Sequence, residues 1–133
     1  MFVRCGAVLV AVLALYADDA VSRQSASPVS GRDTYLAYCA SCHGADGRGS
    51  GPVAPALKIP PADLTTLSTR NNGRFPELRV YGAIRGDVRV TSHGSAEMPV
   101  WGKVFRQAGG GDTAAVQMRV SNLVAYLKSI QSK

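Results

Sequence analysis

Two cysteines and a histidine stand within five consecutive residues, Cys39, Cys42 and His43, in the stretch YLAYCASCHG. Thiolates and imidazoles bind metals, paired thiols carry out dithiol redox reactions, and thiols can also attach a haem covalently. Each of these chemistries needs different partners elsewhere in the chain. The surrounding sequence therefore has to discriminate between them.

Zinc and dithiol chemistry both lack supporting elements. A structural zinc usually takes four Cys or His ligands in two paired sets, and beyond the cluster the sequence offers His93 but no second pair. A redox dithiol is placed at the start of a helix that follows a strand, where the helix dipole lowers the thiol pKa. Here the cysteine pair closes a predicted helix, and no sheet is predicted.

A covalently attached haem would use all three residues of the cluster. Positions i and i+3 of a helix point the same way, so Cys39 and Cys42 can each reach one vinyl group on a single porphyrin edge. His43 is then placed to offer a ring nitrogen to the iron. The C-x-x-C-H pattern is typical of c-type haem attachment.

A haem iron that carries electrons needs a second axial ligand, and thioether sulfur raises its reduction potential. Met98 lies in the loop AEMPVWG, where the adjacent Pro99 restricts movement of this side chain away from the iron. His93, five residues earlier, is the rival ligand. Met118 falls inside a predicted helix, where we expect it to fill the core.

Helices are predicted to position these residues. Ser30 and Asp33 form a capping pattern at the start of the first helix. One face of that helix then carries Tyr35, Tyr38, Cys39 and Cys42. A second helix is predicted from about Pro76 to Arg85, with three apolar residues repeating every third position: Leu78, Tyr81 and Ile84.

The last predicted helix is the strongest. Asp112 caps it, and its apolar stripe consists of Val116, Val120, Leu123, Val124, Leu127 and Ile130. No β-alternation of useful length is present, so the predicted fold is all-α, with helices at both ends and long loops between them. Three modest helices bury little apolar area. A porphyrin would complete such an interior.

The chain is predicted to begin with a secretory leader at residues 1–17, cleaved after Ala17 or Ala20. Residues 18–29 form a polar linker, and residues 30–133 form the folded domain. These features predict export to the periplasm, with no membrane span once the leader is removed. An uncleaved leader that anchors the protein is the alternative.

The net charge is +6, from 15 Lys and Arg against 9 Asp and Glu. The cations are scattered along the domain, at Arg70, Arg74, Arg79, Arg85, Arg89, Lys103, Arg106, Arg119 and Lys128. They either form a solvated surface or steer an acidic redox partner. Nucleic acid is not expected as a partner, because no basic block with interleaved aromatic residues is present.

Five segments in this order resemble the class I c-type cytochromes: CASCHG, GSGPVAPAL, PPADLT, MPVWG and LVAYLKSI. The resemblance extends from about Ser30 to Ser132. It implies one haem c, bonded through Cys39 and Cys42, whose iron has His43 and Met98 as axial ligands. It also implies a crossing of the first and last helices, with Leu36 or Tyr35 against Tyr126 and Leu127.

In such proteins a loop carbonyl, commonly from a proline, accepts a hydrogen bond from the other nitrogen of the haem histidine. The resemblance therefore implies that the carbonyl of Pro52 or Pro55 accepts this hydrogen bond. It places Leu57 against the haem, and Trp101 and Phe75 are candidates for the walls of the haem pocket.

The function that this resemblance implies is the transfer of single electrons between periplasmic redox partners, without enzymatic activity. No constellation of general acid, base and nucleophile is visible in the sequence. Two alternatives remain open. The chain could be the haem subunit of a larger dehydrogenase or oxidase, or a ligand-binding or sensing module with an open iron position.

Overall fold

The computed structural model describes residues 29–87 and 98–132, which consist of helices and loops without a strand. This agrees with the all-α fold predicted from the sequence. The helices, in chain order, are α1 (Gly31–Tyr38), α2 (Ala40–His43), α3 (Glu77–Arg85), α4 (Trp101–Ala108) and α5 (Thr113–Ser129). Three single 3-10 turns lie in the long connection between α2 and α3, at Ala54–Ala56, Leu64–Thr66 and Thr69–Asn71.

Helix α1 begins where the capping pattern predicts. The Ser30 hydroxyl accepts a hydrogen bond from the Asp33 backbone N–H at 3.0 Å and donates one to the Asp33 carboxylate at 2.6 Å. The helix ends at Tyr38, and Cys39 is a turn residue between α1 and α2. The cysteine pair therefore lies across a break in the helix rather than inside one continuous element.

Helices α1 and α5 cross in direct contact because Gly31 has no side chain. A Cβ at Gly31 would overlap the backbone carbonyl of Asn122. One turn further along α1, the ring of Tyr35 lies 5.3 Å from that of Tyr126, measured between centroids. The predicted helix crossing is thus present through Tyr35, whereas Leu36, the alternative, is an exposed residue.

Helix α3 starts one residue later than predicted, at Glu77, with Pro76 as the preceding cap residue. Only part of its predicted three-residue repeat is buried. Ile84 is buried, but Leu78 is 88% exposed. The inward face is formed instead by Val80, Ala83 and Ile84, which follow the i, i+3, i+4 spacing of a helix.

Helix α4 occupies part of a region that the sequence predicted as irregular. It packs against the end of α3, where Gly102 allows the two backbones to approach closely. A Cβ at Gly102 would lie 2.7 Å from the Arg85 carbonyl oxygen. The buried side chain of Phe105 fixes the inner face of α4.

Helix α5 is capped by Asp112, whose carboxylate accepts the N–H groups of Ala114 and Ala115. Its buried residues are those of the predicted stripe apart from Ile130, which is half-buried: Val116, Val120, Leu123, Val124 and Leu127. Met118 points outward and is 54% exposed, so the prediction that it fills the core is wrong. It lies two residues from Val116, about 200° around the helix.

The predicted leader, nearly all of the linker, and His93 lie outside the described residues. Within the ranges that are described, no helix is long and apolar enough to cross a membrane.

Candidate functional site

An apolar cavity opens between α1, α3, α4, α5 and the long loop that follows α2. It encloses about 1080 Å³, counting the part open to solvent. Its walls are contributed mainly by Tyr35, Tyr38, Cys39, Cys42, His43, Leu57, Ala62, Leu64, Val80, Ile84, Met98, Trp101, Leu123 and Leu127.

The hydrophobic core is built around this cavity. Of the nine buried apolar side chains in the described part of the chain, five also line the cavity: Tyr35, Leu64, Ile84, Leu123 and Leu127. Apolar surface of this kind gains free energy when an apolar group covers it. The residues therefore fit a large, flat, apolar cofactor such as the porphyrin inferred from the sequence.

The two cysteines lie at the cavity wall as free, partly buried thiols. Burial, assisted by the neighbouring Cys42, raises the pKa of the Cys39 thiol to about 12. A redox-active dithiol requires the opposite shift, toward a thiolate at neutral pH. The environment of Cys39 therefore argues against dithiol chemistry.

His43 is buried at the end of α2, and its Nδ1 lies 2.9 Å from the backbone carbonyl oxygen of Ala62. A carbonyl can only accept, so Nδ1 carries the proton and the Nε2 lone pair remains available for a metal. Burial lowers the pKa of His43, although the bond to Ala62 opposes that shift. Both the tautomer and the neutral charge suit an iron ligand.

The prediction that Pro52 or Pro55 supplies this carbonyl is wrong. Neither Pro52 nor Pro55 supplies it; the acceptor is Ala62, which directly follows Pro60 and Pro61 in the PPADLT segment. Any residue can supply a backbone carbonyl, so residue type alone does not separate these loops. Only the proline pair, which restricts the backbone, pointed to this turn.

The loop after α2 is held close to His43 by hydrogen bonds. The buried Tyr35 hydroxyl donates to the Gly44 carbonyl at 2.6 Å, and the Gly47 carbonyl accepts the Leu64 N–H at 2.7 Å. Gly44 has a φ of +80°, a conformation that favours glycine. These bonds join α1, the loop and the turn that carries Ala62.

Aromatic side chains form another wall. Trp101 and Tyr38 both line the cavity, with their ring centroids 5.5 Å apart, and Phe105 packs against both from behind. Leu57 lines the cavity as well. Phe75, by contrast, is not among the lining residues; it is half-buried two residues before α3 and packs against the core.

Pro55 is also absent from the cavity wall, and it is exposed within the 3-10 turn Ala54–Ala56. The chain becomes extended at Leu57, with φ −88° and ψ 137°, and it is this residue that lines the cavity. Among the candidate residues for cofactor contact, the structure thus brings together Cys39, Cys42, His43, Met98, Leu57 and Trp101.

Met98 precedes Pro99 and the start of α4, and its half-buried side chain lines the same cavity as His43. An imidazole and a thioether in one apolar cavity are the ligand types of an electron-transfer haem. Residues 29–87 and 98–132 contain no group of three or more His, Cys, Asp or Glu side chains arranged to hold a metal ion.

A comparison with protein families gives a match. Residues 26–127, most of the chain, match the family model described as cytochrome c oxidase, cbb3-type, subunit III. Searches of curated proteins and of solved structures found no match. The chain therefore belongs to the cytochrome c oxidase, cbb3-type, subunit III family, and it is a c-type cytochrome that binds a covalently attached haem c with its iron.

Proposed function

We propose that this protein carries single electrons between periplasmic redox partners through an iron that His43 and Met98 ligate. The observation that carries the proposal is the shared cavity. Both thiols, the imidazole and the thioether line one apolar space, although Met98 is 55 residues further along the chain than His43. Haem-based electron transfer follows from the family. The identity of the two axial ligands, His43 and Met98, is what the proposal adds.

The haem supplies the one-electron couple between ferric and ferrous iron. The protein residues fix the ligands and control access of water. The Ala62 carbonyl orients His43 and increases the basicity of its ring. The thioether of Met98 and the apolar walls both favour the less charged ferrous state, which raises the reduction potential.

The docking partner is proposed to be acidic. The chain carries a net charge of +6, and cationic surfaces accelerate encounters with anionic partners. This attraction weakens as salt shortens the screening length to about 10 Å near 0.1 M. Electron transfer to the partner should therefore slow as ionic strength rises, and rates independent of salt would remove the acidic partner from the proposal.

A second candidate function is that of a haem subunit in a larger oxidase. The description of the matching family as an oxidase subunit favours it. The cavity and the proposed iron ligands would be the same in both cases. Size determination of the protein from its native source separates them, since a free carrier migrates alone and a subunit migrates with its complex.

The mass and the visible spectrum of the purified protein test the proposal. Protein produced with haem-attachment machinery should gain the mass of one haem and show sharp absorption bands when reduced. Carbon monoxide should leave the spectrum of the reduced protein unchanged, because both axial positions are filled. Rapid uptake of carbon monoxide would favour the alternative of a sensing module with an open iron position.

A further inference from the structure

The residues that follow α5 form hydrogen bonds with the turn that orients His43, the proposed iron ligand. Gln131 is half-buried just beyond the end of α5. Its Nε2 donates to the carbonyl oxygens of Leu64 and Leu127, each at 2.7 Å, and its Oε1 accepts the Ser68 N–H at 2.8 Å. Both amide protons and the amide oxygen therefore have backbone partners.

The orientation of this amide is determined by those partners. Two carbonyls can only accept and the Ser68 N–H can only donate, so the nitrogen and the oxygen of Gln131 cannot be exchanged. A reversed amide would place an oxygen against two carbonyl oxygens. The geometry thus requires a primary amide of this length at position 131.

The segment held by Gln131 is the one that presents Ala62 to His43. Leu64 is fixed on both sides, because its N–H donates to the Gly47 carbonyl and its own carbonyl accepts from Gln131. Ser132 adds a second attachment one residue further on, where its N–H donates to the Thr65 carbonyl at 2.8 Å. The Ala62 carbonyl lies two residues before Leu64 and accepts the His43 Nδ1 proton.

We propose that Gln131 is a positioning residue for the iron ligand: it holds the turn at residues 62–65 so that the Ala62 carbonyl keeps its hydrogen bond to His43. Outer hydrogen-bond partners of a ligating histidine set its orientation and its basicity. Loss of the Gln131 bonds weakens the Nδ1–H bond, and a less basic imidazole favours ferrous iron. This inference rests on the proposed ligation of iron by His43.

The test is the reduction potential of the haem-loaded Gln131→Met variant. Methionine keeps the length of the side chain but makes none of the three hydrogen bonds. We expect the ratio of reduced to oxidised protein at a fixed solution potential to rise roughly threefold, which is about 30 mV at ~59 mV per tenfold for one electron. Exchange of the His43 Nδ1 proton with solvent should become faster in the same variant.

Ser129→Ala is the matched control, because the Ser129 hydroxyl donates only within the last turn of α5, to the Tyr126 carbonyl at 2.7 Å. It should leave both the potential and the Nδ1 proton unchanged. Equal potentials in Gln131→Met and the wild type would overturn the inference. Equal shifts in Gln131→Met and Ser129→Ala would also overturn it, since they would indicate general loosening of the C-terminus.

A second variant keeps the inference testable if Gln131→Met does not fold. Gln131→Asn keeps a neutral amide but is one methylene shorter, so it cannot reach all three partners, and it should shift the potential in the same direction. In the wild type, the side-chain amide protons of Gln131 should exchange slowly; fast exchange would contradict the hydrogen bonds. A colourless wild-type protein would instead refute the proposed function itself, so the two failures are distinguishable.

Discussion

The two sides of the haem cavity are held in different ways. On the histidine side, residues 39–64, backbone and side-chain hydrogen bonds fix each part of the chain, including Tyr35 to Gly44, Leu64 to Gly47 and His43 to Ala62. On the methionine side, residues 98–105, helix α4 begins at Trp101, and its cap residue Val100 makes no side-chain hydrogen bond to the helix. Close packing of Gly86 on Val100 and of Gly102 on Arg85 holds that side.

This difference predicts two kinds of response to mutation. Hydrogen bonds on the histidine side are part of the fold, so breaking them should change stability as well as the environment of the ligand. Packing on the methionine side fixes the position of one sulfur. Changes there should alter iron ligation at a smaller cost in stability.

The largest expected effect is that of Met98→Ala on the reduction potential. Removal of the thioether should lower the potential by on the order of 0.2 V, a fraction of the roughly 0.8 V range that axial ligands span. Potentiometric titration measures the change. Met118→Ala is the control, because Met118 is exposed on α5, and its potential should match the wild type. An unchanged potential in Met98→Ala would remove Met98 as the sixth ligand.

A matched pair of glycine substitutions compares the two sides sterically. A Cβ at Gly51 would overlap the Ser41 carbonyl oxygen and lie 2.7 Å from that of Ala40. These carbonyls cannot easily move, because that of Ser41 accepts the Val53 N–H and that of Ala40 accepts the Gly44 N–H. Gly51→Ala should therefore cost about 3 kcal/mol or more of unfolding free energy, the upper range for overpacking.

Gly102→Ala on the methionine side should lower the unfolding free energy by a smaller amount, about 1–2 kcal/mol. Its Cβ would lie 2.7 Å from the Arg85 carbonyl oxygen, but alanine regains up to ~1 kcal/mol of helix propensity in α4. The start of α4 should shift, and the spectrum should show weakened methionine ligation. Denaturant unfolding of both haem-loaded variants measures the difference, and equal costs would contradict the comparison.

Tyr35→Phe tests one hydrogen bond on the histidine side. The substitution keeps the ring and removes the donation to the Gly44 carbonyl, so we expect a loss of about 1–2 kcal/mol in unfolding free energy. Tyr126→Phe is the control, since it preserves the ring contact between the two residues and should cost less. A loss in Tyr126→Phe as large as that in Tyr35→Phe would contradict the assignment of the cost to the hydrogen bond from Tyr35 to Gly44.

The smallest expected effect concerns acid stability of the turn that carries Ala62. The Asp63 carboxylate accepts from the Thr65 hydroxyl at 2.6 Å and from the Thr65 N–H at 2.8 Å, and these bonds lower its pKa. The resulting stability is present above the ordinary Asp pKa of about 4 and is lost as the pH falls through the lowered value.

Asp63→Asn should therefore flatten the acid limb of the stability profile, by less than about 1 kcal/mol because solvent screens the group. Thr65→Val removes the hydroxyl donor while keeping the shape of the side chain, and it should flatten the same limb. Unfolding free energies measured from pH 2 to pH 6 provide the comparison. A profile that neither variant changes would show that this carboxylate does not stabilise the turn.

Features that depend on residues close together in the sequence could be predicted from it. Features that depend on contacts between distant parts of the chain could not. The cap at Ser30 and the apolar stripe of α5 are local patterns, and both agree with the structure. Helix α4 was not predicted, although its sequence WGKVFRQA places apolar residues at i, i+3 and i+4, because Gly102 near its start and the glycines at 109–111 after it are typical of loops. The exposure of Leu78 depends on which face of α3 meets the cavity, which a repeat of three residues does not determine.

Within the candidate site, the side chains with distinctive chemistry could be named from the sequence, because Cys39, Cys42, His43 and Met98 have few chemical roles. The groups that position these side chains could not be named from the sequence. The Ala62 carbonyl and the amide of Gln131 reach their partners through contacts between distant parts of the chain, 19 and 67 residues apart. Such contacts exist only once the fold brings the turn, the loop and the C-terminus together.

The central claim, that one iron is bound between His43 and Met98, is tested most directly by proton NMR of the reduced, haem-loaded protein. A methionine bound to haem iron lies over the porphyrin ring, whose current moves its methyl and side-chain protons far upfield. The account predicts one such methionine spin system, present in the wild type and in Met118→Ala and lost in Met98→Ala. Upfield methionine signals that persist in Met98→Ala, or their absence from the wild type, would contradict it.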